Sequence, residues 1–282
     1  MIDIKSLSKT ELTGFILDKG EKKYRSEQLF SWMHSKLARS PGEMSNIPRS
    51  LCELLIRETE YTALKTVDVR TSSEDGTKKY LFGLSDGNVI ESVWMKYRDW
   101  NSVCISSQVG CRMGCRFCAS TLDGCIRNLT PSEMLDQVYS IQRESGERVS
   151  NIVVMGSGEP LDNYDTLLKF LEIISDEKGL NIGERHITVS TCGLVPKIRS
   201  LAELRKQITL AISLHAPNDE KRQSLMPIAK KYSIAELMDA VKYYYDRTGR
   251  RITFEYALAK DVNDSIEDAA ELSRLVHGLN AM

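Results

Sequence analysis

From about residue 99 the sequence alternates. Five apolar, β-rich runs, NSVCISSQ, NIVVMGSG, HITVSTCG, ITLAISLHA and RITFEYALA, are separated by stretches with helical periodicity, such as PSEMLDQVYSIQRES, YDTLLKFLEIISDE and SIAELMDAVKYYYDRTG. Two strands joined by such a helix lie parallel, because a parallel connection needs a crossover of that length. The alternation therefore predicts an α/β fold with a parallel sheet and helices outside it. The last helical stretch, SIEDAAELSRLVHGL, is followed only by NAM. A crossover helix returns to a further parallel strand. None is expected here, so the fold is expected to stop partway round a barrel.

The first 98 residues read differently. TELTGFILDKG suggests a helix with a Thr N-cap and a Gly stop. YRSEQLFSWMHSKL places Leu29, Phe30 and Met33 on one helical face, and ARSPGEMSNIPRSLCELLIRE contains a loop and a third helix. TKKYLFGLSDGNVIESVWMKY alternates apolar and polar residues around Asp86-Gly87, a β-hairpin signal. We therefore expect an N-terminal helical and hairpin module over 1–98 and a βα domain over 99–282.

Charge and composition exclude little. The chain has 282 residues and net charge −1, so bulk charge does not advertise nucleic acid. Basic stretches occur at 19–25, at Arg112, Arg116 and Arg127, and at 197–206 and 247–251. No run of eighteen apolar residues predicts a membrane span, and the N-terminus lacks a secretory pattern, so a cytoplasmic location is the default expectation. In that compartment cysteines read as metal ligands or redox groups. Of seven, five fall between 104 and 125.

Three of those five, Cys111, Cys115 and Cys118, form C-x3-C-x2-C with Phe117 before the last. The loop follows the first βα strand, where parallel barrels place their active sites. Iron–sulfur clusters are ordinarily held by four thiolates. Three suggest a cubane whose fourth iron can take a small molecule. The alternative is a structural zinc site, which wants four nitrogen or sulfur ligands. No second C-x2-C or H-x3-H is present, although His186, His215 or His277 could supply one ligand.

The cysteine spacing and its aromatic resemble the radical S-adenosylmethionine (SAM) superfamily, which implies a partial parallel (βα) barrel of that type, a 4Fe-4S cluster and SAM. The resemblance extends further. YRSEQLFSWMH, VCISSQVGCRMGCRFCASTLDGCIRNLTPSEMLDQV, GSGEPLDNYD, RHITVSTCGLVPKI, SLHAPNDEKRQSLMPI and DVNDSIEDA together resemble the RlmN-type adenine carbon-2 RNA methyltransferases. Ser157 departs from the family's usual Met. This resemblance implies that Cys111, Cys115 and Cys118 hold the cluster and that Gly158, Glu159, Ser190, Ser213, Leu214 and His215 bind SAM. Glu91 matches the proton acceptor and Cys104 the cysteine that frees the product by forming a disulfide. The implied partners are 23S rRNA, tRNA and an external, flavodoxin-like electron donor. The family's methyl-carrying cysteine and an Asn that contacts SAM would fall beyond residue 282. The chain is thus expected to be truncated, binding cluster and SAM without completing methylation. Cys52, Cys125 and Cys192 are expected to be structural.

Two other functions compete. Carbon-8 methylating relatives of the Cfr type tend to have Ala at the position of Pro160 and STIG for STCG, so this sequence favours carbon 2. A non-catalytic, zinc-stabilised RNA-binding module is the alternative of a different class. Lys22, Lys23 and Arg25 offer a surface for RNA phosphates.

Overall fold

The computed structural model describes residues 1–282. In chain order it starts with β1 (Ile2–Asp3), α1 (Lys9–Asp18), α2 (Lys23–His34), α3 (Arg49–Glu58) and β2 (Thr59–Glu60). Strands β3 (Lys65–Thr71), β4 (Lys78–Gly83), β5 (Val89–Lys96) and β6 (Asn101–Cys104) follow, then the short β7 (Gln108–Gly110) and β8 (Cys125–Asn128). The remainder alternates: α4 (Pro131–Ser145), β9 (Asn151–Val154), α5 (Tyr164–Ser175), β10 (Ile187–Thr191), α6 (Val195–Glu203), β11 (Thr209–Ser213), α7 (Asp219–Leu225), α8 (Ile234–Thr248), β12 (Ile252–Glu255) and α9 (Ile266–Val276). The five β-rich runs are β6 and β9 to β12, as the alternation predicts.

The chain forms two compact units that do not follow chain order. The first gathers Met1–Ser106, Leu129–Ile152 and Asp165–Gly183. The second gathers Ser107–Asn128, Val153–Tyr164 and Glu184–Met282.

In the first unit, β6, β5, β4 and β3 are neighbours in that order and pair antiparallel. The predicted hairpin is β4–β5, with Gly83 opposite Val89 across the Asp86-Gly87 turn. Helix α2 buries Leu29, Phe30 and Met33 as the periodicity requires. Helix α1 corrects the sequence reading. Its N-cap is Ser8, not a Thr, and the Glu11 side chain closes a capping box with it. Helix α4 is buried from Ser132 to Ile141, polar residues included. Those polar groups are paired: Lys5 Nζ donates to Asp136 Oδ1 at 2.6 Å, and Ser92 Oγ to Gln137 Oε1 at 2.7 Å.

In the second unit the end of β9 is followed across the sheet by β10, β11 and β12. β10 pairs parallel with β11, and β11 with β12, setting Ser190 beside Ala211 and Ser213 beside Glu255. Helices α6 and α8 pack on one another. After α9 comes an isolated bridge rather than a further strand. Ala281 bridges Ile252 in parallel, and Met282 O accepts from Phe254 N at 2.8 Å. The parallel order thus continues past β12, because that strand's outer edge offers unpaired amides and carbonyls.

Candidate active site

In the second unit a cavity of about 140 Å³ lies at the C-terminal ends of the strands. Cys111, Cys115, Phe117, Cys118, Gly158, Glu159, Ser190, Cys192, Ser213, His215 and Met226 contribute to its wall. Sequence reasoning singled out nine of these as site residues or as the motif's aromatic, and the fold brings them together.

The cysteine loop is framed by β7 and β8, which pair antiparallel. Gly110, at φ +73°, closes that hairpin: a Cβ there would lie 2.0 Å from Gly124 O. Cys111 and Cys115 are each 7% exposed. Burial pushes both thiols up to about 11. They stay protonated at neutral pH until a metal displaces the protons. The three thiols line one cavity yet do not converge on a single-ion site. A cluster takes each thiolate at a different iron, so convergence is not required, and a set of three soft sulfur donors in an apolar wall suits it.

The GSGEP segment follows β9. Gly158 has φ +103°, and a Cβ there would come within 2.6 Å of Gln108 Cβ. Only glycine lets the backbone turn so close to its neighbour. Glu159 is 3% exposed. Its Oε2 accepts from Cys192 N at 2.8 Å and its Oε1 from Leu161 N at 3.0 Å. Burial, the larger effect, raises the carboxyl's pKa, and these amides work against it. Gln108 ties this segment to the cysteine hairpin. Its Oε1 accepts from Glu159 N at 2.9 Å, and its Nε2 donates to Asn128 Oδ1 at 2.7 Å and Asp162 Oδ2 at 2.8 Å. Arg112 then grips Asp162 with two bonds of 2.7 and 2.6 Å.

Ser190 lies in β10 and Ser213 ends β11, with their hydroxyl oxygens 3.5 Å apart. His215 takes a left-handed φ of +56°. For a non-glycine this costs on the order of 1–3 kcal/mol and is typical of functional positions. Its Nδ1 accepts from Ala257 N at 3.0 Å, and Phe117 packs edge-on at 4.7 Å. Burial and the neighbouring Arg222 charge lower the imidazole to about 4. His215 is therefore neutral at pH 7, with its proton on Nε2.

Leu214 differs from its neighbours. Its side chain is wholly buried and is not part of the cavity wall; its backbone N donates to Glu255 O at 3.0 Å. Glu91 and Cys104 also do not line the cavity. Glu91 sits in β5 of the first unit, opposite Leu81, with Oε1 2.6 Å from Lys79 Nζ. Cys104 ends β6, opposite Val93. All seven cysteines are unbridged, so no disulfide belongs to this fold.

Gln108, Met226, Cys192 and Arg222 escaped the sequence reading as site residues. Cys192 lines the cavity and packs with Cys115 and Met226. Burial and the adjacent Glu159 carboxylate push its thiol up. Its place inside the strand-end motif STCG was the available signal.

Comparison with known proteins agrees with this geometry. The model of the radical SAM superfamily matches residues 105–273, and that of the ribosomal RNA large subunit methyltransferase N-terminal domain matches residues 2–60. A protein of Lachnospira eligens named "Probable dual-specificity RNA methyltransferase RlmN" is 62% identical over 280 residues, covering 99% of this chain and 80% of its own. One of the same name from Lachnoclostridium phytofermentans is 57% identical, covering 99% and 78%. A crystal structure of a radical SAM methyltransferase from Sphaerobacter thermophilus superposes with a TM-score of 0.95 at 44% identity, covering 100% of this chain and 83% of that one.

Proposed function

This chain belongs to the RlmN family of radical SAM enzymes, and from that premise we propose that its activity is methylation of carbon 2 of adenine in 23S rRNA and in tRNA, through a methyl-cysteine intermediate whose carrier cysteine is not among residues 1–282. It is a radical SAM RNA methyltransferase that uses a 4Fe-4S cluster and SAM. The observation that carries the reading is the strand-end cavity, whose wall joins three cysteines to Glu159, Ser190, Ser213 and His215. Cluster and SAM together supply hydrogen-atom abstraction, needed because adenine carbon 2 has neither an acidic proton nor a lone pair.

The chain's own residues take these roles. Cys111, Cys115 and Cys118 hold the cluster. Glu159, already held by two amides, keeps acceptor capacity for the SAM ammonium, and Gly158 lets the backbone come close. Ser190, Ser213 and the Nε2–H of His215 hydrogen-bond the ribose and carboxylate, while Leu214, wholly buried, steadies the turn between Ser213 and His215 from behind. Glu91 accepts a proton from the substrate, with Lys79 beside it to balance the charge. Cys104 would attack the sulfur of the family's methyl-carrying cysteine, which is not among residues 1–282; the carbon–sulfur bond to the product breaks as the sulfur–sulfur bond forms, so the disulfide is a transient of turnover. Residues 1–98 serve as the accessory module and 99–282 as the catalytic domain. An external flavodoxin-like protein delivers electrons, and the enzyme works in the cytoplasm. No helix is long and apolar enough to cross a membrane.

The test is anaerobic reconstitution with iron and sulfide, followed by SAM, dithionite and substrate RNA. Mass spectrometry should find 5′-deoxyadenosine with the parent chain and at least a 100-fold loss with Cys118→Ala. Methyl product at carbon 2 of adenine supports the proposal, and product at carbon 8 replaces it with the Cfr-type reading. A fully loaded parent that yields no deoxyadenosine overturns the site.

A further inference from the structure

Helix α7 carries a charge with no counter-ion against it. Arg222 is fully buried. Its Nη2 donates to the carbonyls of Cys192 at 2.7 Å and Ser213 at 3.4 Å, and its Nε to that of Leu214 at 3.2 Å. Its Nη1 has no partner. These partners are neutral carbonyls, so no carboxylate is bonded to the guanidinium. Asp219, one turn earlier, adds a favourable field but spends Oδ1 on Ile234 N. A buried charge is tolerated when an opposite charge comes to meet it.

The helix end docks on the cysteine loop. Arg116 N donates to Leu225 O at 2.9 Å, and Met226 packs with Cys115 and Cys192. Cys115 and Arg222 feel one another electrostatically. A cubane held by three thiolates is an anion, and one-electron reduction makes it more negative. A fixed cation close by favours the reduced form. Arg222 also ties the end of β11, which carries Ser213, to the Cys192 carbonyl that follows β10.

We infer that Arg222 is the counter-ion of the cluster, a positioning residue that raises the potential at which the cluster takes up one electron from an external reductant. This rests on Cys111, Cys115 and Cys118 being the cluster ligands.

Redox titration of the reconstituted chain, followed by EPR of the reduced cluster, tests it with two replacements. Iron and sulfide counts come first: a parent that loads no cluster refutes the ligand assignment, whatever Arg222 does. In loaded protein, Arg222→Gln keeps hydrogen-bond donors but loses the charge. At fixed poise its reduced-to-oxidised ratio should fall about tenfold, a shift of about 59 mV for a one-electron couple. Arg222→Lys should stay much closer to the parent. An unchanged potential in Arg222→Gln overturns the inference, as do equal shifts in both variants, which would indicate packing alone. If Arg222→Gln does not fold, Asp219→Asn decides. It retains the acceptor for Ile234 N and removes the carboxylate field that offsets Arg222, so the potential should rise. No change or a fall overturns the inference.

Discussion

Glu159 shows what a site residue needs from its surroundings. Two backbone amides hold its carboxylate in place, and the adjoining amide is held by Gln108. Gly158 makes this possible, which leads to the first prediction. Gly158→Ala puts a methyl 2.6–2.8 Å from Gln108 at φ +103°. We expect SAM binding by calorimetry to weaken at least 100-fold while iron content is kept; unchanged affinity would refute the tight approach. The second concerns His215. Its pKa of about 4 lies below the usual 6.5, so the unfolded chain binds more protons in between. The stability it contributes is complete above pH 6.5 and is lost as pH falls towards 4. Nitrogen NMR should find a neutral Nε2–H tautomer from pH 8 to about pH 5, and protonation already at pH 6 would contradict it. The cysteines and Glu159 were legible as motif letters. Gln108 and Arg222 were not, because their meaning lies in partners such as Glu159, 51 positions on, and Cys192, 30 positions back.

At the scale of elements, caps and turns carry most of the local information. Helices α1, α4, α8 and α9 each open with a Ser or Thr capping box, a spacing visible in the letters. Reading Thr rather than Ser8 as the first cap overlooked Glu11 three positions on. Strand β3 escaped notice because only Val67 and Val69 mark its apolar face, between Asp68 and Arg70, and the strand is almost wholly exposed. The β7–β8 hairpin decides whether the cysteine loop is presented at all. Gly110→Ala would set a methyl against Gly124 O in a left-handed backbone. We expect a loss on the order of 3 kcal/mol or more in urea unfolding, and a chain that no longer retains iron. Full iron retention would show that the loop does not depend on the hairpin.

At the scale of the whole chain, each unit is assembled from segments far apart in sequence. In the first, Lys5 reaches Asp136 at 2.6 Å and Thr62 O at 2.6 Å, while the other Asp136 oxygen accepts from Leu64 N at 2.7 Å. Both side chains of the ion pair are wholly buried. Removing one partner strands a charge, so Lys5→Met should cost about 3–5 kcal/mol in denaturant unfolding. A cost below about 1 kcal/mol would show that Arg143, 3.5 Å from Asp136, suffices as a counter-ion.

The sequence by itself determined the parallel βα order, the cysteine loop at a strand end and the family, because strand and helix periods and motif spacings are local properties of the chain. It could not reveal the interleaving of the two units, the last residues pairing beside β12, or the buried cation behind the cysteines. Those depend on which distant residues meet once water is excluded. Only the folded chain can show that a guanidinium on α7 is bonded by three carbonyls and by no carboxylate.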